Sequence, residues 1–311
     1  MRRPPPTLAA LAFLSVYALA MGGALVLSIL NGNLGQNPEE GIPLLLAFTA
    51  LVLVGALVVA RVPGNSVGWI FSAVGLLLAV GYLAQEYAEF GYLTRPGSLP
   101  VPLVAVWVTS WYWLLLLGLT FVFVPLLFPT GRLPSRGWRP VAWVGGAGTA
   151  AVTVLAALNP RLQLHDEEFS VPNPIGVEAV GNVEETALGS VFFVLLLVAM
   201  AAAIISQLFR FRHSRGAERQ QLKWFTYAGV LLLTMVLVVE LFEEQLTSIP
   251  GGDAVFGLVI GFLPVSAGIA ILRYRLYDID LVINRTLVYG SLTLLLVAVY
   301  AAGVVLLPRL L

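Results

Sequence analysis

The 311-residue sequence predicts an all-α, polytopic transmembrane helical bundle of about nine spans, with its amino terminus in the cytoplasm. Three observations predict it. Apolar residues make up 59% and charged residues 11%, and mean hydropathy is +0.92; a soluble domain carries about 25% charged residues, and one core of this size cannot hide so much apolar side chain. The apolar residues also fall in runs long enough to cross a bilayer as helices, about 20 residues each. Finally, the basic residues collect in alternate connections. Runs such as VFFVLLLVAMAAAII lack the two-residue alternation of a membrane barrel.

In chain order the spans are expected over Leu8–Leu30, Ile42–Ala60, Val67–Tyr87, Leu103–Val124, Trp138–Leu158, Ala187–Phe209, Trp224–Leu246, Ala254–Leu272 and Leu287–Leu307. The seventh is the weakest, because Glu240 interrupts it. Turn formers separate the runs: NGNLGQNPEEG, RPGSLP, FPTGRLPSRG, Asn159-Pro160 and PGGD. The start, MRRPPPT with Ala18-Leu19-Ala20, also resembles a signal peptide. Its apolar run continues to Leu30, so an uncleaved anchor is expected.

Charge sets the orientation. With the amino terminus inside, the cytoplasmic side receives Arg2, Arg3, Arg61, the segment 125–137 with Arg132 and Arg136, Arg139, the basic segment 210–223, and Arg273, Arg275 and Arg285. Only Arg95, Arg161 and Arg309 fall outside, whereas most carboxylates, including the outer loop 159–186, lie there. Trp69, Trp138, Trp143 and Trp224 are expected near inner helix ends, where an indole stays half wet. Lipid and anionic headgroups are the first partners this implies.

Little catalytic chemistry is legible. The span middles lack ionisable residues, which argues against ion coupling or proton pumping. There is no cysteine, hence no disulfide, thiolate metal site or cysteine nucleophile. The single lysine, Lys223, sits in no phosphate-binding loop, and no glycine-rich dinucleotide motif occurs. No metal, cofactor or nucleic acid is expected. Two acidic clusters are candidate outer contacts: His165, Asp166, Glu167 and Glu168, and Glu240, Glu243 and Glu244. The first matches no metal-binding spacing, and the second ends a span as headgroup-level carboxylates do. Gly64-Asn65-Ser66-Val67-Gly68 fits the G-x-S-x-G pattern of hydrolases, but without a preceding strand it reads as a turn opening a helix. Gly257 and Gly261 form G-x-x-x-G, with Pro264 following; close helix approach is the use of that spacing, within one bundle or between two copies.

The segment Arg273–Thr286 (RYRLYDIDLVINRT) mixes charges with tyrosines and aliphatics, and reads as an interfacial segment packed on the inner ends of the spans. With LFPTGRLPSRGWRPVAW (Leu127–Trp143), RGAERQQLKWF (Arg215–Phe225) and its own extension RYRLYDIDLVINRTLVYG (Arg273–Gly290), the chain resembles the membrane-embedded amino-terminal region of actinobacterial sensor histidine kinases. The resemblance implies a signal-transducing module of a bacterial plasma membrane, sensing an outer or intramembrane stimulus. Its signal-coupling residues would be Arg273, Tyr274, Arg275, Tyr277, Asp278, Asp280, Asn284 and Arg285. The return helix, linker, dimerisation and ATP-binding domains that follow the spans in that family are not found, and His213 lacks the acidic neighbour of a phosphoacceptor. No enzymatic activity of its own is therefore expected. The chain is either a truncated product or a stand-alone relative working through a separate cytoplasmic kinase or response regulator. A permease, a passive scaffold and an intramembrane hydrolase using Ser66 are the alternatives.

Overall fold

The computed structural model describes residues 6–33, 38–164, 169–181, 186–241 and 252–272, with the backbone alone for 38–40, 235, 236, 239–241 and 252–260. The helices are α1 (Pro6–Asn31), α2 (Pro38–Arg61), α3 (Ser66–Glu89), α4 (Pro102–Leu117), the short α5 (Val124–Leu127), α6 (Arg139–Ala157), α7 (Ala187–His213), α8 (Gly216–Leu241) and α9 (Gly252–Leu272). Wide π-helical turns extend α3 through Phe90–Thr94 and join α4 to α5 through Gly118–Phe123. Among the described residues six helices are long and apolar enough to cross a membrane: Pro6–Asn31, Gly41–Arg61, Ser66–Thr94, Pro102–Leu127, Arg136–Ala157 and Ala187–His213. α8 and α9 overlap the seventh and eighth expected spans. The ninth lies outside the described residues.

Two boundaries differ from expectation. The segment 210–223 is no open loop: α7 runs to His213 and α8 starts at Gly216, which turns the chain at φ +57°. Its polar side chains continue the helices because nothing in RFRH or AERQQLK breaks one. The loop after α6 also carries a small antiparallel hairpin, β1 (Arg161–Leu164) with β2 (Phe169–Pro172). Leu162 and Leu164 are buried against Ala88 and Val106 while Arg161 and Gln163 face out, the alternation of a half-buried strand.

α2 sits between α3 and α9, and small residues let it approach both. A Cβ on Gly68 of α3 would fall 2.6 Å from Val58 Cγ1 and 3.1 Å from the Val59 amide nitrogen; one on Gly75 would fall 2.9 Å from the Val52 nitrogen. On the other flank Gly261 of α9 lies against the backbone of Ala47, and Gly268 against Val54. Gly261 therefore serves packing within the bundle. Pro264 is buried inside α9.

Outward faces are apolar. Leu19 is 76% and Trp143 78% exposed, and α7 presents Val191, Val194, Val198, Ile205 and Leu208. Contiguous apolar surface on this scale has no place in water; it is the surface a helix turns to lipid. The connections sort by charge. At one end meet the α2–α3 turn, the 128–138 loop, the α7–α8 turn and the end of α9, with Arg61, Arg132, Arg136, Arg139, Arg210, Arg212, Arg215, Arg219 and Lys223. At the opposite end lie the α1 terminus, Glu86, Glu89 and the β-hairpin.

Candidate functional site

The basic end is assembled around the backbone of LFPTGRLPSRG. Pro129 ends α5 and has no N–H to offer the Pro125 carbonyl, so carbonyls here need other donors. Two residues from the last turns of α7 supply them. Gln207 donates from Nε2 to the carbonyl of Pro125 and, at 3.4 Å, to that of Phe128. Arg210, only 6% exposed, donates from one terminal nitrogen to the Phe128 carbonyl and to Thr130 Oγ1 at 3.4 Å, and from the other to the Arg132 carbonyl at 2.6 Å. The planar guanidinium fork suits three acceptors set around it.

The α2–α3 turn grips the same loop from the other side. Asn65 caps α3, its Oδ1 accepting from the Val67 amide at 3.0 Å, and its Nδ2 donates to the Pro129 carbonyl at 2.8 Å. Gly131 sits at φ +73° with its α-carbon so close to the turn that a Cβ would lie 2.5 Å from the Ser66 nitrogen. Phe128, fully buried, stacks on Phe225 of α8 with centroids 4.3 Å apart. Phe128, Phe225, Leu222 and Ile271 share one apolar cluster, which Leu272 borders. Gln221 Nε2 donates to the Ala270 carbonyl at 2.7 Å, tying α8 to the end of α9.

These elements enclose a cleft of about 640 Å³. Its polar lining includes Asn65, Thr130, Arg132, Arg210, His213 and Glu218; its apolar wall includes Val62, Leu133 and Phe209. His213 Nδ1 bonds the Phe209 carbonyl at 2.8 Å, so that nitrogen carries a proton.

The hydrolase-like motif resolves into separate local tasks. Asn65 caps, Ser66 opens α3, and Gly68 permits the α2 contact. Ser66 is not among the residues lining the cleft that holds His213.

At the opposite end the structure adds a residue the sequence reading passed over. Glu86 is buried, 4% exposed. Asn31 Nδ2 donates to Glu86 Oε2 at 2.7 Å and to the Glu86 carbonyl at 3.0 Å, and Asn33 Nδ2 reaches both Glu86 and Glu89. Thr94 in turn donates to Asn31 Oδ1 at 2.7 Å. An amide is the right partner here, since it adds two donors without another charge. The pairing fastens the end of α1 to the end of α3. Replacing Glu86 by alanine is expected to cost about 2 kcal/mol, because partly buried amide donors lose a charged acceptor; Glu86→Gln should cost about half that. Thermal unfolding of the purified chain in detergent reads this, and an unchanged midpoint in Glu86→Ala would contradict it.

Of the other sequence-derived candidates, Gly257 lies on α9, and Glu240 in the last turn of α8. His165, Asp166, Glu167, Glu168, Glu243, Glu244 and the whole coupling segment, Arg273, Tyr274, Arg275, Tyr277, Asp278, Asp280, Asn284 and Arg285, lie outside the described residues.

No family model, no curated protein and no solved structure matches the chain. The class the architecture defines is an all-α protein with, among the described residues, six helices long and apolar enough to span a membrane.

Proposed function

We propose that the chain is a multi-pass protein of a bacterial plasma membrane, with nine spans and a cytoplasmic amino terminus, that acts as a signal-input module. An outer or intramembrane stimulus biases helix packing, and the segment 273–286 passes the shift to a cytoplasmic kinase or response regulator. One observation carries the reading. Two of the three kinase-like stretches, Leu127–Trp143 and Arg215–Phe225, meet through the Phe128–Phe225 stack. The third begins immediately after Leu272, which borders the same apolar cluster. The first two are far apart in sequence and would meet in this way if they belonged to one coupling assembly. A carrier needs a polar path between the helices, whereas the described cleft opens at the basic end.

Orientation is tested first, and the absence of native cysteine makes it clean. An impermeant maleimide added to intact cells should label His165→Cys and spare Arg136→Cys until the membrane is opened. Equal labelling of both would reject the topology. Coupling is tested by placing a photoreactive residue at positions 274, 277 or 280 and identifying the cross-linked chains in cells. A histidine kinase or response regulator is expected. Adducts to lipid alone at all three positions would reject the signalling role.

A further inference from the structure

We propose that the cleft at the basic end is a specific binding site for a phosphate-ester group, held by Arg132, Arg210 and His213. Arg210 supplies the physical reason. Its guanidinium is buried, yet its described hydrogen-bond partners are main-chain carbonyls and a hydroxyl. Carbonyl dipoles satisfy its N–H groups without cancelling its charge, and the one carboxylate of the cleft that acts on it, Glu218, is outnumbered there by Arg210 and Arg132, so the cleft carries net positive charge for an anion.

The rest of the lining fits an anion. Arg132 is exposed at the cleft and free of the stapling role, since it is its carbonyl that Arg210 holds. His213 spends Nδ1 on the Phe209 carbonyl, which leaves Nε2 unengaged by it in the cleft lining. Against these stands one carboxylate, Glu218, in the first turn of α8. Guanidinium groups pair with phosphate oxygens through parallel N–H donors.

Size and polarity narrow the ligand further. At about 640 Å³ the cleft falls in the ~300–1,000 Å³ range of small-molecule sites, larger than a bare phosphate needs. Val62, Leu133 and Phe209 form an apolar wall beside the cationic groups. Such a lining suits a phosphodiester with a carbon substituent on each side, as in an anionic phospholipid headgroup reached from the ends of the spanning helices. A soluble phosphate ester presents the same anionic group without the tails. The inference uses the membrane reading of the helices and is independent of signalling.

The test uses the full chain in phosphatidylcholine nanodiscs containing a minor fraction of phosphatidylglycerol, with the lipid retained on the purified protein quantified by mass spectrometry. Wild type should enrich phosphatidylglycerol. Arg132→Ala should weaken retention roughly tenfold, the loss of one charge-assisted contact. Glu218→Gln should strengthen it severalfold by removing the opposing charge. Arg136→Ala, a basic residue of the same loop outside the cleft lining, should leave it unchanged. Thermal unfolding in pure phosphatidylcholine confirms that each variant is folded. Excess glycerol phosphate separates the two sources: no displacement assigns the site to the lipid, and full displacement assigns it to a soluble ester. Equal loss in Arg132→Ala and Arg136→Ala, or indifference to Glu218→Gln, would overturn the site in favour of diffuse surface charge. So would the absence of any enrichment.

Discussion

Arg210→Ala is expected to destabilise the chain by about 3 kcal/mol, because it strips a charged donor from one buried and two partly buried acceptors at once. The Arg132 carbonyl would lose its described side-chain donor and the Phe128 carbonyl would keep only the long contact from Gln207, and water cannot easily replace the lost donor beside Phe128. The effect should be local before it is global. α7 has a long apolar run above Arg210 and should remain helical, while the 128–138 loop loosens. Trypsin should then cut at Arg132 and Arg136 faster than in wild type, and the thermal midpoint should fall. Arg210→Lys should recover less than half of the loss, since a single ammonium cannot face three acceptors with the fixed fork of a guanidinium. A lysine variant as stable and as protease-resistant as wild type would mean that charge alone holds the loop, and the geometric account would fail.

The contrast between Arg210 and the spans explains what the sequence can disclose. The six long apolar helical stretches coincide with the first six expected runs to within a few residues, because apolar run length is a local property. Charge sorting is equally local: counting arginines between runs suffices to separate the two ends. Arg210 is different. In the sequence it is the first of several basic residues in RFRHSRGAERQQLK, with nothing to mark it off from Arg212 or Arg215. Its distinction arises from helical phase, which turns Arg210 and Gln207 inward toward a loop some eighty positions earlier, while Arg212 and His213 stay exposed. An i, i+3, i+4, i+7 pattern along α7, Ala203-x-x-Ser206-Gln207-x-x-Arg210, is the signal that could have identified it.

Glu86 was hidden for a related reason. A carboxylate near the end of an apolar run reads as a headgroup-level residue, and only its partners, Asn31 and Asn33, show otherwise. Those asparagines sit in a segment whose composition says turn and nothing more. The β-hairpin was missed because each strand is four residues long, with only two inward aliphatics in β1 to announce it. Gly261 is a contrasting case, since its neighbour across the small-residue contact is Ala47 of α2.

Gly68→Leu is expected to be strongly damaging, costing about 3 kcal/mol, at the upper end of typical overpacking losses. The ideal Cβ already collides with Val58 and closes on the Val59 backbone nitrogen. A side chain could swing aside; a helix backbone can yield only by separating α2 from α3. Ser72, one turn further along the same face, predicts the reverse sign. Its hydroxyl is buried with no described hydrogen-bond partner, so Ser72→Ala should leave stability unchanged or raise it by up to about 1 kcal/mol. Gly22→Ala is the neutral control, with nothing within 4 Å of its added methyl. The consequence of Gly68→Leu should also reach the basic end, because Asn65 lies one turn earlier and holds Pro129. Protease cleavage at Arg132 should therefore rise in Gly68→Leu along with the drop in thermal midpoint. Gly261→Leu, which presses on α2 from the α9 side, should lower the midpoint without exposing the loop. If both glycine variants expose Arg132 equally, the α2–α3 turn is not what fixes the 128–138 loop, and α9 contributes as much to its position.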